Sequence, residues 1–273
     1  MNDGKREFAS FGAFVEQVKK PGHERNGTSS VNSFGLEWSG GHTFDECIEL
    51  AKNGWPDGLA RMQKLTKLIE VPKGARNFEP QPVLALAGDE VDIGLYLTGE
   101  PECMTDWHME ETPTFGKVVK VIVSQAAMGS VSPDTMFRRG AAAVLLVDAL
   151  ESCGIRCEVW VLPKCNATSK GKFRFYGKVL VKKAEDPVEL DRLAFMLAHP
   201  GVLRRLGFRL MEQEDPETWA GKQTHNGYGS SKELVEAMQE DGTIYFGCQN
   251  PAYRNEEAMI AEVQRILDKF LEC

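Results

Sequence analysis

The apolar pattern is clearest in the middle of the chain. Val118 to Val123 is a short β-branched run, the composition of a strand buried on both faces. Ser132-Pro133-Asp134 then supplies a helix N-cap, a proline for the first helical position and an early carboxylate. The apolar run from Phe137 to Leu150 continues to Cys153-Gly154, a helix stop. Ile155 to Leu162 reads as a second strand. Strand, helix and strand in this order predict a βαβ unit, and so a parallel sheet with a right-handed crossover. Phe173 to Lys182 reads as a further strand pairing near Val159–Leu162, and Thr243 to Cys248 as the last one. Asn255 to Leu271 is an amphipathic helix with Val263, Ile266, Leu267 and Phe270 on its packing face.

Upstream, Phe8, Phe11, Phe14, Val15 and Val18 recur at helical spacing, and Pro21 to Ser33 is a linker. Thr43 with Glu46 forms a capping-box pattern, opening a helix that stops at Asn53-Gly54. Trp55-Pro56-Asp57 opens a second helix, with Leu59, Met62, Leu65, Leu68 and Ile69 on one face. Val83 to Ala87 is a short apolar run before a turn at Gly88–Asp92, and residues 104–116 read as an acidic loop. Asp186-Pro187 repeats the cap-plus-proline start for a helix that Pro200 breaks. Residues 212–231 read as a long loop, and Ser231 to Gln239 as a short helix. The expectation is an α/β protein with a Rossmann-like, mainly parallel sheet, flanking helices and an N-terminal helical appendage. Residues 1–33 form an arm and 34–273 a single domain, with the helical hairpin at 34–82 and the sheet core at 83–273.

Composition adds limits. The chain is 42% hydrophobic and 26% charged, typical of a soluble globular protein. No apolar run has the length to span a bilayer, and the N-terminus lacks the apolar core of a signal peptide. Its 7 cysteines are odd in number and scattered, which points to a reduced, cytoplasmic setting. The net charge of −8 is uneven: residues 117–210 carry 16 Lys+Arg against 8 Asp+Glu, and both flanks are acidic. Either this basic centre pairs with the flanks, or it offers a face to an acidic partner such as nucleic acid.

In parallel sheets ligands sit at the carboxyl ends of strands. Here that is the loop from Ser124 to Ser130, which has no carboxylate, no histidine and no phosphate-cradling glycine pattern. Candidate binding residues are Ser124, Gln125 and Ser130 in this loop, with Arg138, Arg139, Arg204 and Arg205 as the basic inventory beside Arg209. Most of these arginines are expected to pair internally with acidic residues such as Glu212, Glu214 and Asp215, leaving at least one pair exposed. Candidate acid–base or metal-binding residues are Asp89, Asp92, Glu102 and His199. A histidine at a helix end is also suited to capping the dipole. No histidine or cysteine set has metal-ligand spacing, so no metal and no cofactor are expected.

Residues 118–162 resemble the first strand, helix and second strand of von Willebrand factor A-type domains. Those domains carry an Asp-x-Ser-x-Ser metal motif after the first strand. Ser124, Ala126 and Met128 occupy the three ligand positions here, so the resemblance implies a dead metal site. Four stretches are similar to an uncharacterised domain family of bacteriophages and bacteria. They are Trp38-Ser-Gly-Gly to Gly54-Trp55-Pro56, Val91-Asp92 to Glu102-Cys103-Met104, Arg138-Arg139-Gly140 to Leu150-Glu151, and His199-Pro200 to Gly207-Phe208. This likeness implies a phage or mobile-element origin, with the host cytoplasm as the site of action. Three readings follow: a non-enzymatic protein-interaction or assembly protein, a nucleic-acid-binding accessory protein using residues 117–210, and a metal-dependent hydrolase.

Overall fold

The computed structural model describes residues 4–23, 30–32, 35–70, 77–112, 118–167, 173–225, 227–229, 242–247 and 250–271. The helix read at 231–239 lies outside the described residues. The expected βαβ unit is present. Strand β5 (Val118–Ser124) is followed by helix α5 (Pro133–Ser152) and strand β6 (Arg156–Ala167). β5 and β6 pair in parallel, with Val121 opposite Val159 and Val123 opposite Val161. Val119, Val121, Val123, Val159 and Val161 are all buried. Ser132 caps α5 by accepting from the Thr135 N–H at 3.2 Å, with Pro133 in the first turn.

A hairpin returns the chain as β7 (Phe173–Lys182), antiparallel to β6 with Val161 opposite Val179. Strand β8 (Thr243–Phe246) adds in parallel on the other side of β5. Strand β1 (Lys5–Phe8) adds in parallel to β7. The result is an α/β protein with a five-stranded sheet in the order β1-β7-β6-β5-β8, and three of its four pairings are parallel.

The described helices before residue 70 feed the same core. Helix α1 (Phe11–Lys19) buries Phe11, Phe14, Val15 and Val18, the residues whose spacing announced it. Helix α2 (Phe44–Asn53) opens on the reciprocal Thr43–Glu46 box, at 2.7 and 3.3 Å, and ends at Gly54 with φ +85°. Helix α3 (Pro56–Thr66) starts at its proline and buries Met62 and Leu65.

Residues 77–112 form a separate three-stranded antiparallel sheet, in the order β2 (Asn77–Ala85), β4 (Met104–Thr112), β3 (Glu90–Val91). The short helix α4 (Ile93–Thr98) links β3 to β4, with Asp92 as its cap. Two expectations change here. The run at 83–87 lies partly in β2, outside the five-stranded sheet, and residues 104–112 are a strand rather than a loop. Acidic residues are depleted in strands, so composition points to a loop; pairing with β2 at a solvent-exposed position lets this strand carry them.

Helix α6 (Leu190–Ala198) starts later than Asp186-Pro187, because Asp186 accepts from the Lys183 N–H at 3.2 Å and closes a turn. Pro200 ends α6, and residues Val202–Gly207 wind as a π-helical segment leading into α7 (Phe208–Glu212). Residues 219–224, expected in a loop, form helix α8 (Trp219–Thr224), capped by Thr218. A 3₁₀ turn (Pro251–Arg254) precedes the C-terminal helix α9 (Glu256–Leu271), which buries Met259, Val263 and Leu267.

α5 is buried on most of its circumference, and α6 crosses it at Gly140. A Cβ on Gly140 would lie 2.0 Å from Leu197 O and 2.2 Å from the Ala198 Cα, both rigid backbone atoms. Gly140→Ala is therefore expected to lower the unfolding free energy by about 1–3 kcal/mol. Denaturant unfolding checks this, with Gly129→Ala as the control, since a Cβ there meets nothing within 4 Å.

Candidate functional site

The carboxyl end of β5 is where a parallel sheet offers a ligand crevice, and this chain packs it with its own side chains. Ser124 and Gln125 are fully buried. Ser124 Oγ accepts from the Ala126 N–H at 3.2 Å. The Gln125 amide donates to the carbonyls of Leu197 and of Met196, the latter at 3.4 Å, and so serves C-terminal carbonyls of α6 that lack helical partners. Arg139, on α5, donates to Ala126 O at 3.1 Å and to the Gln125 carbonyl oxygen at 3.3 Å. Only Ser130, of the loop candidates, is exposed.

Arg204 and Arg205 sit on the π-helical segment and are buried. Arg204 donates to Trp38 O and, at 2.5 Å, to Val131 O, with its guanidinium 4.1 Å from the centre of the Trp38 ring. The Trp38 indole N–H donates back to Gly129 O at 2.9 Å. Burial, and then the charge of Arg139, pushes Arg204 down to about 10, so it remains cationic at neutral pH. Arg205 donates to the carbonyls of Ser30 (3.1 Å), Asn32 (2.6 Å) and His42 (3.3 Å).

These arginines are internal, as expected, but Arg204 donates to backbone carbonyls rather than to the acidic flank, and Arg139 and Arg205 also donate to carbonyl oxygens, because buried loop carbonyls need donors that no secondary structure supplies. Arg209 meets the flank, at 3.2 Å from Glu212, while Glu214 takes Arg6 at 2.7 Å. Arg138 is half-buried and donates to Tyr253 O at 2.8 Å. The expected exposed pair is absent: neither Arg138-Arg139 nor Arg204-Arg205 stands on the surface.

The other candidates do not converge. Asp89, Asp92 and Glu102 belong to the small sheet and are exposed, and Asp92 is occupied as the cap of α4. His199 is fully buried at the end of α6, among the rings of Trp55 and Phe195. Its Nδ1 accepts from the Gly201 N–H at 2.9 Å, which assigns the ring proton to Nε2, 3.0 Å from His42 Nδ1. Burial, and then His42, pushes His199 down to about 3, so it is neutral and is not a cationic cap on the helix dipole. Among the described residues no group of three or more His, Cys, Asp or Glu could hold a metal ion. Burial lifts the thiols of Cys47 and Cys157 to about 12, which leaves them unreactive at neutral pH.

Two features escaped the sequence. His42 is a partner of His199 across 157 residues. Lys164 is buried on β6 with its Nζ 5.1 Å from the centre of the Phe208 ring, and burial pushes it down to about 7. Nothing around Pro163-Lys164-Cys165 marks that lysine as internal. Among the aromatics interleaved with basic residues on β7, Phe175 and Tyr176 are both buried, on opposite faces of the strand, while Lys178 lies over the Trp160 ring at 4.4 Å.

The architecture is that of an α/β protein whose sheet end is closed by its own polar network. The chain matches a family described as a domain of unknown function, DUF7192, over residues 2–271, and it belongs to that family. This agrees with the expected membership of an uncharacterised domain family. No curated protein and no solved structure matches it.

Arg204→Met removes both donors from the carbonyls of Trp38 and Val131, and is expected to cost about 2 kcal/mol or more of unfolding free energy. Arg192→Ala, at an exposed position, is expected to stay within about 0.5 kcal/mol. Denaturant titration of both variants checks this.

His199 gives a pH signature. Its folded pKa of about 3 lies below the reference 6.5, so its contribution is complete above pH 6.5 and is lost as pH falls from there toward 3. At one unit below 6.5 the loss is about 1.4 kcal/mol. Unfolding curves at neutral pH and near pH 5.5 are expected to show this increment in the native chain and not in His199→Gln.

Proposed function

We propose that the chain is a non-enzymatic protein-interaction or assembly protein, built on a degenerate von Willebrand A-type fold. In this reading it is encoded by a phage or mobile element and acts in the host cytoplasm. The observation that carries the interaction reading is a contrast within the molecule. The sheet end that holds ligands in parallel α/β folds is filled by Gln125, Arg139 and Arg204. Residues 82–108 contain no buried residue and leave eight large apolar side chains exposed, from Val83 to Trp107. Large apolar side chains left exposed together in one segment support an interaction site.

The degenerate-fold reading is supported by the parallel β5-α5-β6 unit and by the three positions that would ligate a metal. Ser124 spends its hydroxyl on Ala126, Ala126 is fully buried, and Met128 offers no hard oxygen. Among the described residues no helix is long and apolar enough to cross a membrane. The nucleic-acid reading is weakened because Arg139, Arg204 and Arg205 are buried and engaged with carbonyls, and phosphate contacts need exposed cations. The hydrolase reading is weakened because its histidine is buried in the helical layer, while its carboxylates are solvated on the small sheet.

A photo-crosslinking residue placed at Leu97 is expected to capture a discrete protein in cells producing the chain, while one placed at Lys183 is not. Unselective capture at both positions, or retention of the full chain on nucleic acid with loss at high salt, would overturn the reading.

A further inference from the structure

Resting on the interaction reading, we infer that the surface formed by α4 and the β2–β4 sheet is a docking site for a basic amphipathic helix of a partner protein. The apolar part is ordered by both kinds of element. Ile93, Tyr96 and Leu97 are 70%, 65% and 77% exposed and recur at i, i+3 and i+4, one stripe of α4. In the β2–β4 register Pro82 faces Trp107 and Leu84 faces Thr105, which puts Leu84 and Trp107 on the same side of the sheet. Single exposed apolar side chains are ordinary; this many between 83 and 107, with no core beneath them, are not.

Charge selects the partner. Residues 77–112 contain nine Asp+Glu and no Lys or Arg, a net −9, while the whole chain is −8, so the remainder is +1. Asp89, Glu90, Asp92, Glu100 and Glu102 are exposed around the apolar stripe. A second copy docking through this surface would set nine negative charges against nine. A partner with lysine or arginine flanking its apolar face meets no such opposition, and its charges speed encounter.

The backbone of β2 bears on the shape. β2 is an edge strand and carries Pro80 and Pro82. Prolines two apart lie on one side of the strand, and the side bonded to β4 needs its N–H donors, so the missing donors fall on the open edge. That edge cannot bond an added strand along its length. Helix docking reads anchors at i, i+3, i+4 and i+7 and needs no backbone donors, which suits the apolar stripe of α4.

The full chain is titrated by fluorescence anisotropy with a labelled leucine/lysine peptide of about five helical turns, its leucines at helical spacing. A scrambled peptide of the same composition and a leucine/glutamate peptide serve as comparisons. We expect the helical basic peptide to bind about tenfold or more tightly than either comparison, a difference of about 1.4 kcal/mol. Ile93→Asp with Leu97→Asp removes the stripe while adding negative charge, at exposed positions where the melting temperature is expected to hold. That variant is expected to bind about tenfold more weakly. Equal or tighter binding by the variant, or equal binding by the scrambled peptide, would mean simple charge attraction and overturn the inference. Sedimentation of the chain alone adds a further arm: self-association lost in the same variant makes the occupant a second copy, which overturns the helix and leaves the interaction reading standing. Absence of binding by every peptide overturns the helix proposal, and the broader reading falls only if the Leu97 crosslink also fails.

Discussion

At the carboxyl end of β5 the carbonyls of Ala126, Val131, Leu197 and Trp38 converge from three separate stretches of chain, and their donors come from the protein's own side chains. Arg139 serves Ala126, Arg204 serves Val131 and Trp38, and Gln125 serves Leu197. A buried carbonyl without a donor costs free energy comparable to a lost hydrogen bond. The placement of the segment at 35–42, the β5–α5 loop and the end of α6 therefore depends on this network. A guanidinium suits the task because it offers several donors in a rigid fork that can reach two strands of chain at once.

The same network explains why the sheet end is closed. The π-helical segment at 202–207 brings Arg204 and Arg205 inward together, and the turn at His199–Gly201 holds His199 against His42 and Trp55. Gly201 and Gly207 allow this approach, since a Cβ at either would meet Cys47 Sγ at 2.5 Å or Pro163 O at 2.4 Å. What would be a crevice in a ligand-binding α/β protein is here the joint between the N-terminal helices and the sheet. The small acidic sheet is its counterpart: polar and apolar side chains face solvent together, and among the described residues its hydrogen bonds stay within it. One part of the chain has more internal partners than its sequence suggests, and the other has fewer.

The sequence by itself determined the elements whose signals are local. The β-branched run at 118–123, the caps at Thr43 and Ser132, the glycine stop at Gly54 and the helical spacing of Phe11, Phe14, Val15 and Val18 all depend on residues within a turn or two of one another. Their geometry follows from backbone sterics and nearby hydrogen bonds. The parallel pairing of β5 with β6 was legible too, because a helix between two strands permits little else. Tertiary structure decided the rest. Whether Arg204 is a surface cation or a buried clamp depends on carbonyls at positions 38 and 131, far away in the chain. Whether His199 titrates near neutrality depends on His42 and on burial beneath Trp55. The apolar residues at 83–97 read as a core by composition, yet they stand in solvent, because hydrophobicity states a preference for burial and only the fold supplies a neighbour to satisfy it.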